Sequence, residues 1–131
     1  MSFLTVQVGQ CGNQLGVSLF DALLTEAEAG PDDFGAAARQ AFFRVRRGDG
    51  ALVARAALID MEPKVVAAAL RGVPASRWVY DGAGALTFES GSGNNWARGY
   101  NTYGPAFRER ASDVLRREAR LLVADGVLKA C

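Results

Sequence analysis

Short apolar runs broken by glycine- and proline-bearing turns alternate with longer stretches of helical period, the pattern of an α/β chain. Leu4, Val6 and Val8 alternate with Thr5 and Gln7, which predicts a strand over 4–8. Leu15, Leu19, Phe20, Leu23, Leu24 and Ala27 then recur at helical spacing through Glu28 and predict one apolar face to lie on a sheet. Gly30-Pro31 stops that helix, and 30–33 reads as a loop. Residues 36–47, rich in Ala and Arg, read as a short helix or an ordered loop.

Ala51 to Ile59 is apolar except for Arg55, as expected of one strand covered on both faces of a parallel sheet. Pro63 suits the first position of a following helix, with Val65, Val66, Ala69 and Leu70 inward and Gly72 closing it. Arg77–Tyr80 and Leu86–Phe88 read as short strands around the turn 81–84. From Pro105 a last helix turns Phe107, Ala111, Val114, Leu115, Ala119 and Leu122 inward. Its outer face mixes Arg108, Arg110, Arg116, Arg117 and Arg120 with Glu109, Asp113 and Glu118. The fold class is therefore α/β, a parallel sheet flanked by helices.

The totals narrow the function. A chain of 131 residues has the size of one domain. Its net charge of +1 gives no reason to expect nucleic acid or an acidic membrane as partner. There is no histidine, which excludes a His-ligated metal and a His-activated nucleophile. Two cysteines, Cys11 and Cys131, make no disulfide framework, and no apolar run is long enough to span a membrane. Arg47-Gly48-Asp49 is read as the turn before a strand.

Three connections carry candidate chemistry. Gly9-Gln10-Cys11-Gly12-Asn13-Gln14 joins a strand to a helix, where free backbone N–H groups and the helix dipole receive an anion. It lacks the spacing of the dinucleotide fingerprint and of the Walker loop, so a tight turn without ligand stands beside the phosphate reading. Asp60 and Glu62 sit where a strand ends and a helix begins. They suit Mg²⁺ beside a triphosphate, or simply complement the helix dipole, and chemistry alone favours the dipole. The stretch 89–100 holds three glycines, two serines and two asparagines, donors suited to phosphate oxygens, with Trp96 expected to pin it down.

Those three stretches, in this order and spacing, resemble the N-terminal part of the tubulin family. Gly9–Gln14 is similar to its first nucleotide loop, Asp60-Met61-Glu62-Pro63 to the second, and Gly91-Ser92-Gly93-Asn94-Asn95-Trp96-Ala97 to the third. Thr5–Gly9, Phe20–Leu24, Asp60–Val65 and Gly99-Tyr100 with Gly104-Pro105 look most like the delta branch. The resemblance runs to about Ala119 and implies a Rossmann-like GTP-binding domain. By position, Gln10 and Cys11 would lie against the nucleotide and its phosphates, and Gln14 would face the base and sugar. Glu62, helped by Asp60, would sit near Mg²⁺, and Gly93, Asn94 and Asn95 would reach the terminal phosphates.

The implied partners are GTP, other tubulins and centriolar proteins, in the cytoskeleton and at the centriole, basal body or cilium. Tubulins are longer and carry a further glycine-rich phosphate loop that this chain does not reach. Residues 1–131 are accordingly expected to be an N-terminal part of the domain, truncated before its later strands. Hydrolysis in the family is completed by a carboxylate from an adjoining subunit, which implies no turnover by this chain alone. The alternative is an interaction module that docks on tubulins without nucleotide.

Overall fold

The computed structural model describes residues 2–73, 77–88 and 91–124. Strand β1 (Thr5–Val8) passes directly into helix α1 (Gly9–Ala29). Gly9 makes that step possible, with φ at +75°, a value side-chain-bearing residues rarely adopt. Helix α2 (Asp32–Phe42) follows α1 with only two residues between them. The expected loop over 30–33 thus shrinks to Gly30-Pro31, because Asp32 and Asp33 complement the dipole of a first turn.

The apolar run 51–59 is two strands, not one. Strand β2 (Phe43–Val45) pairs antiparallel with β3 (Leu52–Ala54), and the chain then crosses at Arg55 into β4 (Ala56–Asp60). Arg55 holds the junction through its backbone, its N–H donating to Phe42 O at the end of α2 and its carbonyl accepting from the Thr5 N–H of β1, each at 2.9 Å. Arg47-Gly48-Asp49 occupies the hairpin tip as expected. There Asp49 pairs with Arg46, and the hydrogen bonds from Arg46 and the Ala51 N–H hold its carboxyl down to about 2.

The main sheet has the order β1-β4-β5, all parallel, with β5 at Ala85–Thr87. Helix α3 (Pro63–Arg71) follows β4, with Val66 and Ala69 buried. Residues 77–80 form no strand; Val79 makes only an isolated bridge to Val53, and Gly82–Gly84 is a 3₁₀ turn. A short helix, α4 (Trp96–Arg98), and a π turn lead into α5 (Gly104–Ala124). Helices α1 and α3 pack together beside the sheet, while α5 packs on β4, β5 and the 3₁₀ turn. No helix among the described residues is long and apolar enough to cross a membrane.

The core lies under α1 and α3, where Phe20 meets Phe43, Trp78 and Tyr80 at ring separations of 5.5, 5.5 and 6.0 Å. Burial on β1 runs against the expected sense of its alternation. Gln7 is buried, whereas Val6 and Val8 are 46% and 62% exposed. Two residues assigned to the inner face of α1, Leu15 and Leu19, are exposed as well. Strand β1 is the sheet's edge among the described strands, and α5 packs on β4 and β5 instead, which leaves this flank open.

Two further expectations are corrected. Trp96 does not pin its loop into the core; it is 76% exposed and stacks on Tyr100 at 4.9 Å. Glu118 is buried rather than on the outer face of α5, while Ala119 from the expected inner stripe is exposed. Glu118 receives Arg117, which also bridges to Asp81, so the acid enters with a cation beside it. Glu89 and Ser90 of the third loop, and the tail 125–131 with Cys131, lie outside the described residues.

Candidate functional site

The three parallel strands end together, and each hands the chain to a turn of the predicted chemistry. Val8 of β1 is in register with Ile59 of β4, and Asp60 of β4 with Thr87 of β5. Ligands of open α/β sheets bind beyond such carboxyl ends. Here they enclose a hollow of ≈ 370 Å³ whose lining includes Gln10, Asp60, Glu62, Gly91, Ser92, Gly93 and Asn94. One residue from each of the three turns, Gln10, Glu62 and Asn94, faces one space.

Local sequence fixes each wall. Gln10 stands in the first turn of α1, whose opening N–H groups have no partner within the helix. Asp60 closes β4, and its Oδ1 accepts the Glu62 N–H at 2.8 Å, which bends the chain before Pro63 starts α3. Its other oxygen, Oδ2, is buried with no hydrogen-bond partner. Buried carboxylate oxygens are rarely left so, and a cation or a bound water completes such an atom. In the third turn Gly93 and Asn94 both have positive φ, +65° and +57°, and carry the backbone around the rim.

The remaining expected residues are placed as follows. Gln14 does not line this hollow but an adjoining cleft of ≈ 420 Å³ between α1 and α3, which shares Gln10 and Val65 with it. Cys11 is exposed on the first turn of α1 and lines neither space. Asn95 lines neither; its side-chain oxygen accepts the Arg98 N–H at 2.9 Å and caps α4. Among the described residues no group of three potential protein ligands gathers. A cation here would rest on Asp60 and Glu62 and draw its other ligands from phosphate and water, the habit of Mg²⁺.

Two positions were missed as contributors. Asn13 is fully buried, and its Nδ2 donates to Gly9 O at 2.8 Å and to Ile59 O at 3.3 Å. It thereby ties the first turn to the end of β4. Lys64 lines the cleft beside Gln14 and brings the only positive charge among that cleft's described lining residues. The signal for Asn13 was its place inside the glycine turn; for Lys64 it was its position just after Pro63.

Residues 2–126 match the Tubulin/FtsZ family, GTPase domain. The chain belongs to that family. It is 39% identical over 127 residues to the tubulin delta chain of Macaca fascicularis, an alignment covering 90% of this chain and 28% of the relative. It is 42% identical over 130 residues to the tubulin epsilon chain of Mus musculus, covering 88% and 27%, and 34% identical over 125 residues to the tubulin beta-1 chain of Chondrus crispus, covering 90% and 27%. The chain thus spans about a quarter of the length of these tubulins. Membership in a GTPase-domain family implies GTP and Mg²⁺ as the ligands to test against the hollow.

Proposed function

We propose that this chain is a delta-tubulin-like GTP-binding protein of the cytoskeleton, with residues 1–131 forming the N-terminal part of its nucleotide domain. The observation that carries the reading is the convergence of Gln10, Glu62 and Asn94 on one hollow beyond the parallel strands. The first-turn N–H groups of α1, the Gln10 amide and the Gly93-Asn94 turn would hold phosphate oxygens, with Cys11 beside them and Asn95 shaping the turn. Asp60 and Glu62 would hold Mg²⁺, which neutralises phosphate charge when bound. Gln14 would face the base and sugar from the adjoining cleft. Its partners would be other tubulins, in keeping with the tubulin relatives, and centriolar proteins, at centriole, basal body or cilium.

A second reading is a module that docks on tubulins without nucleotide. The exposed Val6 and Val8, two residues apart on one face of the edge strand β1, favour it, since neighbouring exposed apolar side chains mark contact sites. Titration with a fluorescent GTP analogue and Mg²⁺ separates the two. Saturable binding lost in Gln10→Ala and Glu62→Ala supports the first. No binding by a sample with a folded circular dichroism spectrum rules it out and leaves the second.

A further inference from the structure

Beside the start of β1 lies a groove of ≈ 380 Å³ between α1, α2 and the chain entering the sheet. Three phenylalanines line it: Phe3 ahead of β1, and Phe34 and Phe42 from the first and last turns of α2. Close packing sets its shape. A Cβ at Gly35 would collide with Ala27 O, so α2 meets α1 at contact distance only because that side chain is missing. Phe3 is anchored by its N–H on Ala41 O at 2.9 Å, and its ring stacks on Phe42 at 5.1 Å. The lining residues of α2 between its two phenylalanines include Ala37, Ala38 and Ala41, which are small and leave room. The core does not consume these rings. Phe3 and Phe34 are 43% and 58% exposed, and no cation among the described residues lies over any of the three.

Charge supplies the second observation. Glu26 of α1 is the only charged residue among the groove's described lining residues, and its carboxylate has no hydrogen bond or ion pair with a described residue. Its neighbours on the helix, Asp21 and Glu28, are both taken by Arg77. A free carboxylate and three aromatic rings around one space all attract a cation, the acid by its charge and the rings by their quadrupoles. The scarcity of acceptors decides which cation. Besides Glu26 only Gln40 brings a polar side chain to the lining. A primary ammonium carries three N–H donors that these two cannot match in place of water, whereas a quaternary ammonium has none to satisfy.

We propose that this groove binds a small quaternary ammonium with an apolar body, its charged head between Glu26 and the phenylalanine rings and its body along Leu23 and the alanines of α2. The proposal uses no residue of the nucleotide hollow or of the α1–α3 cleft, so it stands or falls apart from the GTP reading.

Titration of the intact ¹⁵N-labelled chain with benzyltrimethylammonium at low salt, followed by two-dimensional NMR, tests it. Saturable shifts are expected at the amides of 23–26 and 34–42. The affinity should fall about three- to fivefold in Glu26→Gln and in Phe34→Ala, both at exposed positions. Glu109→Gln on α5 should leave it unchanged, and the spectrum of each variant shows whether it is folded. Benzylammonium and benzyl alcohol should each bind more weakly. Absence of saturable shifts, shifts centred elsewhere, or unaltered affinity in either groove variant overturns the site. Benzylammonium binding as tightly as benzyltrimethylammonium overturns the quaternary head. Self-association that Phe34→Ala removes, without ammonium binding, overturns the proposal in favour of a second copy of the chain.

Discussion

Gln7 and Tyr80, 73 residues apart in sequence, form a buried hydrogen-bonded pair, with Gln7 Nε2 donating to the Tyr80 hydroxyl at 3.1 Å. Burial raises the Tyr80 phenol to about 12, so it stays protonated throughout the ordinary pH range. The pair sits directly beneath Gly16 of α1, where an added Cβ would come within 2.1–2.3 Å of the Gln7 amide. Helix α1 therefore lies close on β1 only because position 16 has no side chain. That closeness sets the height of Gln10 and the first turn over the hollow.

Gly16→Ala is accordingly expected to destabilise the chain by about 1–3 kcal/mol, the usual cost of forcing atoms into a packed interior. Gln7→Ala removes the obstructing amide, so the double variant should lose less than the sum of the two single variants. Urea unfolding of the four proteins measures the coupling. Strict additivity would mean that Gly16 and Gln7 do not share this contact.

Asn13→Ala should cost about 1–3 kcal/mol, because two carbonyls, Gly9 O and Ile59 O, lose their shared donor in a dry place. It should also weaken nucleotide binding more than an equally destabilising change in the core, such as Val66→Ala. Asn13 joins the first turn to β4, whereas Val66 only packs. Equal effects on binding would assign Asn13 to stability alone.

The cluster at the base of α5 predicts opposite responses to pH from its two acids. At Asp81 burial pushes the carboxyl up, but the Arg117 hydrogen bond, the Ala83 N–H and the charges of Arg117 and Arg44 outweigh it, and the net direction is down. Its contribution is present above the unfolded-state value and is lost as pH falls through the folded one. Asp81→Asn should thus flatten the acid side of the stability curve. At Glu118 burial dominates and pushes the carboxyl up. The folded chain then binds more protons just above the ordinary glutamate range, so stability falls with rising pH there, and Glu118→Gln should remove that slope. Thermal unfolding across pH 3–8 (roughly the carboxylate range and above) checks both.

The three turns of the site were legible because their chemistry is local. Gly9, Pro63 and the Gly93-Asn94 pair announce themselves by backbone demands that neighbours in sequence settle. What the sequence hid depends on partners far away. Gln7 is inside because Tyr80 meets it, and Glu118 because Arg117 accompanies it and Arg117 bridges to Asp81. The break at Arg55 was invisible for the same reason. A lone arginine in an apolar run marks a junction only once Thr5 of β1 and Phe42 at the end of α2 are seen to claim its backbone from two sides. Gln14, expected to face the base and sugar, lines the cleft between α1 and α3 rather than the hollow, a placement set by helix rotation.

Cys11 gives a probe that reports on the site without altering it. It is exposed on the first turn of α1, one residue from Gln10. Its reaction with a thiol reagent should slow at least several-fold when a GTP analogue and Mg²⁺ are added, and recover on chelation of the metal. Unchanged labelling at saturating nucleotide would put the ligand elsewhere.

Amide hydrogen exchange with and without a slowly hydrolysed GTP analogue and Mg²⁺ tests the central claim most directly. The account predicts added protection in three separated segments at once, around residues 9–14, 61–65 and 91–95, all dropping together in Glu62→Ala. Protection confined to one of these segments, or appearing only around the exposed Val6 and Val8 of β1, would contradict it.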